Sequence, residues 1–224
     1  MTSRGESAKE RAGRAAAEHV EDGMRVGLGT GSTITHTLHA LAEHGRDILC
    51  AATSERTHAL AAELGIRVVS PDEIGALDIA IDGADEIDPY LNLIKGGGGA
   101  HTREKIVAEM AARFIVVADE SKLVDTLGDF KLPIEALPFA PGVVAARLLA
   151  LGARRVEQRE TLSDNGNVLL DADFGLIDDP AGLAVALDAV PGLVEHGLFL
   201  ASTVERALVG TTDGVREITH PVKR

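Results

Sequence analysis

Residues 24–43, MRVGLGTGSTITHTLHALAE, pass from an apolar strand-like run through the glycine-bearing turn Gly29-Thr30-Gly31 into a helical pattern that puts Ile34, Leu38 and Leu41 on one face. The alternation continues on both sides. Upstream, residues 8–20 read as helix, with Ala12, Ala15, Ala16 and Val20 apolar. Downstream come a strand over 48–53, a helix over 55–64 closed by Gly65, and short strands over 66–69 and 77–81. A helix from Thr102 to Ala112 and a buried-type strand over 114–118 complete the series. Short apolar strands separated by helices predict a parallel sheet covered on both faces. Right-handed crossovers then place the strand carboxyl ends on one edge, where such sheets bind ligands.

The second half has a different texture. Pro133, Pro138 and Pro141 interrupt the chain before a helix over 143–151, a strand starting at 155–158, and the turn signal Asn165-Gly166 ahead of Val168. A helix over 181–189 and a strand over 192–199 follow, and 206–218 reads as strand, Asp213-Gly214 turn, strand. The expected fold class is therefore α/β: a Rossmann-like parallel sheet with helices on both faces, plus a small α+β, ferredoxin-like domain. The larger domain is expected over 1–128 and 206–224, and the smaller, in oligomer contacts, over 129–205.

The chain has 224 residues, with 22 Lys+Arg against 35 Asp+Glu and a net charge of −13. That balance argues against nucleic acid or an anionic membrane as the main partner, because both reward a basic face. It leaves room for a small anion held by local cations and backbone N–H groups. Cys50, the single cysteine, follows Ile48 and Leu49 and reads as a buried small hydrophobe. The charged N-terminus lacks a signal-peptide core, and no run approaches the roughly 20 apolar residues of a membrane span. The expected location is the cytoplasm.

Each chemical motif directly follows one of these strands. Gly29-Thr30-Gly31-Ser32-Thr33 joins a strand to a helix start, where N–H groups and hydroxyls suit a phosphate; a plain tight turn capped by Ser32 is the alternative. It is neither a Walker A loop nor a clean G-x-G-x-x-G. Asp82-Gly83-Ala84-Asp85-Glu86-Ile87-Asp88 sets Asp82 and Asp85 three apart across a turn, able to face one pocket and pass hydroxyl protons. A solvated acidic loop, a helix cap and a divalent-metal site are the alternatives, the last disfavoured because no further ligand recurs with suitable spacing. Lys95 leads into Gly96-Gly97-Gly98-Gly99, a run costly to order unless backbone must approach something closely; a flexible linker is the competing reading. Lysine there can neutralise charge on a substrate oxygen. Glu104 falls in the first turn of the next helix and can serve as a base, yet spacing alone does not promote it over Glu109 or over a surface role. Lys122, after the strand over 114–118, is either a second phosphate contact or a solvated charge.

In this order, GTGST (29–33), DGADEID (82–88), KGGGGA (95–100), REK (103–105) and ADESK (118–122) resemble the A-type ribose-5-phosphate isomerase family, and the similarity continues through PIEALPFA (133–140), DNGN (164–167), PGLVEHGLF (191–199) and GTTDGV (210–215). The resemblance implies Glu104 as the base that moves a proton between the first two sugar carbons through an enediolate. It implies Lys95 as the oxyanion partner, and Asp82 and Asp85 for ring opening and hydroxyl protons. Substrate and phosphate would be held by Thr30, Gly31, Ser32, Thr33, Gly83, Ala84, Gly96, Gly97, Gly98 and Lys122, with Lys9 as a further phosphate lysine. No metal or cofactor is implied, and the assembly is a homodimer or homotetramer. His101 departs from an apolar position and reads as a half-exposed loop histidine. Competing classes are an isomerase or deaminase of amino sugar phosphates, a sugar-phosphate sensor, for which the N-terminal segment is too short, and a nicotinamide dehydrogenase.

Overall fold

The computed structural model describes residues 2–220. Its elements run α1 (Thr2–Ala17), β1 (Arg25–Leu28), α2 (Ser32–His44), β2 (Leu49–Ala52), α3 (Glu55–Glu63), β3 (Arg67–Val68), α4 (Pro71–Ile74), β4 (Ile79–Gly83), β5 (Glu86–Ile87), β6 (Leu93–Ile94), α5 (His101–Glu109) and β7 (Phe114–Asp119). A 3-10 turn (Glu120–Lys122) leads to β8 (Leu132–Ala136), α6 (Pro141–Ala150), β9 (Arg155–Leu162), β10 (Val168–Asp173), α7 (Pro180–Asp188), β11 (Leu193–His196) and β12 (Leu198–Phe199). After a second 3-10 turn (Ala201–Thr203), β13 (Arg206–Gly210) and β14 (Val215–Thr219) close the order. The chain divides into two units, one of Met1–Ala84, Arg103–Leu123 and Ser202–Arg224, the other of Asp85–Thr102 and Val124–Ala201.

The first unit is built on a seven-stranded sheet ordered β14-β13-β7-β4-β1-β2-β3. Its neighbours are parallel except β14, which runs antiparallel to β13 at the edge. β4 and β7 read as continuous apolar runs because both faces are covered. Val26, Leu28, Ile79, Ile81, Ile115 and Val117 meet Ala12 and Ala16 of α1 and Ile34, Leu38 and Leu41 of α2 in one core. Cys50 lies in it, and burial pushes its thiol up to about 12. Strand order runs outward in both directions from β1, so the turns after β1 and β4 flank a point where the winding reverses.

The second unit contains β8-α6-β9-β10-α7-β11, with sheet order β11-β8-β10-β9 and every neighbouring pair antiparallel. That is the βαββαβ, ferredoxin-like arrangement. Val144, Leu148, Ala184 and Leu187 of its helices pack on Ile134, Ala136, Val168, Leu170 and Ala172. A separate three-stranded sheet, β12-β6-β5, flanks the acidic and glycine loops.

Three sequence expectations change here. The prolines at 133–141 suggested an interruption, yet Leu132–Ala136 is an interior strand. Pro133 is accommodated near the strand's start, where pairing with β11 has ended and its carbonyl accepts from Gly197 N–H at 2.8 Å. The single strand expected over 192–199 breaks at Gly197 into β11 and β12, which serve different sheets. Because β12 pairs with β6, residues 85–102 fall in the second unit, whereas the sequence reading placed them with the larger domain.

Candidate active site

In the first unit the turn after β1 is held from two sides. Asp82, at the end of β4, accepts from Thr30 N–H at 3.0 Å and Gly83 N–H at 2.7 Å through the same Oδ1. Thr57 donates its hydroxyl to Gly29 O at 2.8 Å. A Cβ at Gly29 would overlap the Asp82 carboxylate, so that close approach requires glycine. The Thr30 hydroxyl joins a cluster with Thr53 (2.9 Å), Ser54 (2.7 Å) and Thr57 (3.2 Å) beneath the turn. The N-cap of α2 is Gly31, with no side-chain cap bond, so Ser32 does not cap the helix as the plain-turn reading required. Its Oγ instead accepts from Lys9 Nζ at 3.0 Å, and that ammonium lies 3.9 Å from Asp119 Oδ2. Ser32 is exposed, Gly31 half-buried and Thr33 buried. Lys122, half-buried, ends the 3-10 turn whose start Asp119 caps by accepting from Ser121 N–H at 2.9 Å. A helix start with a lysine and a hydroxyl beside it is the kind of arrangement that can receive a phosphate.

Glu104 sits in the first turn of α5 and is 4% exposed, while Glu109, which sequence spacing left equivalent, is exposed. Removing a carboxylate from water is costly, so burial separates the two as the sequence did not.

In the second unit Asp85 plays the part that Asp82 plays in the first. Its N–H donates to Ile94 O at 2.8 Å, and its Oδ2 accepts from Gly97 N–H at 2.7 Å. A Cβ at Gly97 would come within 2.7 Å of the Asp85 carboxylate. Lys95 is 2% exposed, with its backbone N–H on Gly197 O at 2.8 Å and its ammonium 5.3 Å from the Phe199 ring centroid, a cation–π contact. The glycine run is thus an ordered turn closed by Gly99 N–H to Gly96 O at 2.9 Å, with Gly97 and Gly98 exposed. His101 corrects the half-exposed expectation: it is 0% exposed, packs on Gly96, and its Nε2 lies 3.3 Å from Glu195 O. The loop's other two acids, Glu86 and Asp88, serve the backbone. Glu86 accepts from Gly128 and Phe130 N–H, and Asp88 caps its own turn through Tyr90 and Asn92.

Two supporting residues escaped the sequence reading. Glu135, fully buried, accepts from Thr102 Oγ1 (2.5 Å), Ser163 Oγ (2.8 Å), Asn165 Nδ2 (3.1 Å) and Asn167 Nδ2 (2.7 Å). Burial alone would raise its carboxyl, but these four donors outweigh it and hold the group below the ordinary glutamate range. Arg159 reaches the glycine turn. Both depend on partners far along the chain, and only the Asn-Gly turn hinted at one of them.

Among the described residues one other cluster, Asp188, Glu195 and His196, has metal-like spacing. His196 Nδ1 accepts from Leu198 N–H at 3.2 Å, which leaves the ring proton on Nε2, 3.2 Å from Asp188 Oδ1. A metal would have to displace that proton, so the cluster is a histidine–carboxylate pair.

A doubly wound sheet with acidic, hydroxyl and cationic groups at its carboxyl edge, followed in the chain by a ferredoxin-like unit, defines a small-molecule enzyme of the α/β class. Residues 49–214 match the ribose 5-phosphate isomerase A (phosphoriboisomerase A) family. Ribose-5-phosphate isomerase A of Rhizobium meliloti is 50% identical over 226 residues, covering 94% of this chain and 96% of that one. The crystal structure of ribose 5-phosphate isomerase A from Neisseria gonorrhoeae superposes with a TM-score of 0.93 at 38% identity, over 96% of this chain and 97% of that one. A D-ribose-5-phosphate isomerase solved in complex with phospho-erythronic acid gives 0.92 at 40% identity, over 96% and 99%. The chain belongs to the ribose 5-phosphate isomerase A family.

Proposed function

We propose that the chain interconverts D-ribose 5-phosphate and D-ribulose 5-phosphate through an enediolate, without a metal or organic cofactor. Family membership supports the reaction, and the observation that carries the residue assignment is the burial of Glu104 beside the exposure of Glu109. Glu104 takes the C2 proton of the open-chain aldose and delivers it to C1; the reverse reaction uses the same group. Lys95 neutralises the oxygen charge that develops meanwhile. Asp82 and Asp85 exchange the hydroxyl protons that ring opening requires. The α2 start, with Gly31, Ser32 and Thr33, holds the phosphate with Lys9 and Lys122, while Thr30 acts through the turn that its hydroxyl and N–H stabilise. Backbone groups of Gly83, Ala84, Gly96, Gly97 and Gly98 contact the sugar. Remote phosphate binding then orients the reacting carbons. Phospho-erythronic acid on the solved relative fits this scheme, because a planar carboxylate resembles an enediolate in charge and shape.

The test is purified protein with ribose 5-phosphate in excess chelator, with ketopentose followed over time. Turnover should persist in EDTA. Glu104→Gln should lower kcat by at least ~10²-fold with circular dichroism unchanged; wild-type kcat in that variant rejects the role.

No helix among the described residues is long and apolar enough to cross a membrane. A cytoplasmic place in the pentose phosphate pathway is the setting proposed. The second unit exposes Phe139 (97%) together with Val143, Leu149 and Val185, and we propose that a second copy of the chain covers them in a homodimer or homotetramer.

A further inference from the structure

Arg159 lies on β9 and its guanidinium is divided between two tasks. Nε and Nη2 donate to the two oxygens of Asp171 on β10, at 2.9 and 2.6 Å, a bidentate pair. Nη1 donates to the backbone carbonyls of Gly96 and Gly97, at 3.1 Å each. The arginine side chain is only 17% exposed. Part of the small domain's hairpin is thus committed to two carbonyls of the turn that follows Lys95.

Peptide planarity gives this contact a direction. In a trans peptide the C=O and N–H point opposite ways. With Gly96 O drawn to Arg159, the N–H of Gly97 must point away from it, and it meets Asp85 Oδ2 at 2.7 Å. With Gly97 O drawn to the same guanidinium, the N–H of exposed Gly98 is likewise turned away from Arg159. Glycine does not select this arrangement by itself, since it accepts many backbone conformations. Lysine at 159 would offer a point charge where two carbonyls and a carboxylate need a planar fork.

We propose that Arg159, braced by Asp171, is a positioning residue for the isomerisation: it sets the peptide orientation of the Gly96–Gly98 turn, and through it the Asp85 carboxylate and the start of the turn at Lys95. This rests on the assignment of Lys95, Asp85 and the glycine turn to the substrate site. The phosphate-binding groups assigned above include neither Arg159 nor Asp171, so the larger effect belongs in turnover, with only a small one in KM through the sugar contacts of the glycine turn.

The test compares Arg159→Ala, Arg159→Lys and Asp171→Asn with the wild type, reading kcat, KM and thermal midpoint. Arg159→Ala should lose ~10- to 10²-fold in kcat, the scale expected for a slight misplacement of reacting groups, with KM changed less than ~3-fold. Millimolar ethylguanidinium should restore part of that kcat without moving the midpoint, which a merely structural role would not do. Arg159→Lys should stay impaired, and Asp171→Asn should lose kcat in the same direction. Wild-type kcat in Arg159→Ala overturns the proposal, as does a loss that ethylguanidinium fails to rescue. Should Arg159→Ala not fold, Asp171→Asn decides: unchanged kcat overturns it and reduced kcat at constant KM supports it. A wild type that does not turn over ribose 5-phosphate would instead sink the functional assignment.

Discussion

Glu104 and Glu109 share one helix, and five residues turn the axis by about 140°. One is therefore carried into the protein and the other into solvent, though their chemistry is the same. Asp82 and Asp85 show a second residue-scale rule. Each accepts a backbone N–H of a glycine-bearing turn and excludes a side chain from it, Asp82 at Gly29 and Asp85 at Gly97. The carboxylates are fixed by the loops they fix. Lys122 has no such lock, being a half-buried lysine at the end of a short turn. Lys122→Ala should raise KM for ribose 5-phosphate by roughly 10-fold, the scale of one charge-assisted contact, with a smaller fall in kcat. Steady-state kinetics check it, and an unchanged KM removes Lys122 from the phosphate site.

At the scale of elements, the start of α5 is anchored by the Thr102 hydroxyl on Glu135, which also collects three donors from the turn between β9 and β10. The Glu135 carboxyl is held below its ordinary value of 4.5, so it stabilises the fold above that pH and the contribution is lost as pH falls through the depressed value. Glu135→Gln should cost ~1–3 kcal/mol at neutral pH, because an amide cannot accept from all four donors. The gap in thermal midpoint between variant and wild type should shrink on acidification below 4.5; a constant gap would contradict the assignment. Much of this scale was legible beforehand. β1, its turn and α2 announced themselves because period and glycine placement are local signals. β8 did not, because three prolines dominate its neighbourhood and its pairing with β10 and β11 is decided elsewhere in the chain. β5, β6 and β12 are two residues each, too short to show a period. Motif residues were found from adjacent sequence, whereas Glu135 and Arg159 act on groups about 30 and 60 positions away, which no local pattern encodes.

For the whole molecule, the winding of the large sheet puts the turns after β1, β4 and β7 on one edge, and the first unit's candidate groups are supplied mainly from there. The second unit carries the glycine turn and, separately, the exposed Phe139. The self-association proposed above makes Phe139→Ser a direct test: light scattering should show a smaller species than the wild type, with the circular dichroism spectrum retained. An unchanged mass would move the contact elsewhere. The core of the first unit carries another consequence. With the lone thiol sealed inside the sheet and its ionisation pushed to about 12, maleimide should leave native protein unmodified at neutral pH and react once urea opens the chain. The wild type is then its own blank for labelling. A cysteine placed on the exposed Asp213 turn would carry a fluorophore at a single site, with no native cysteine to remove first.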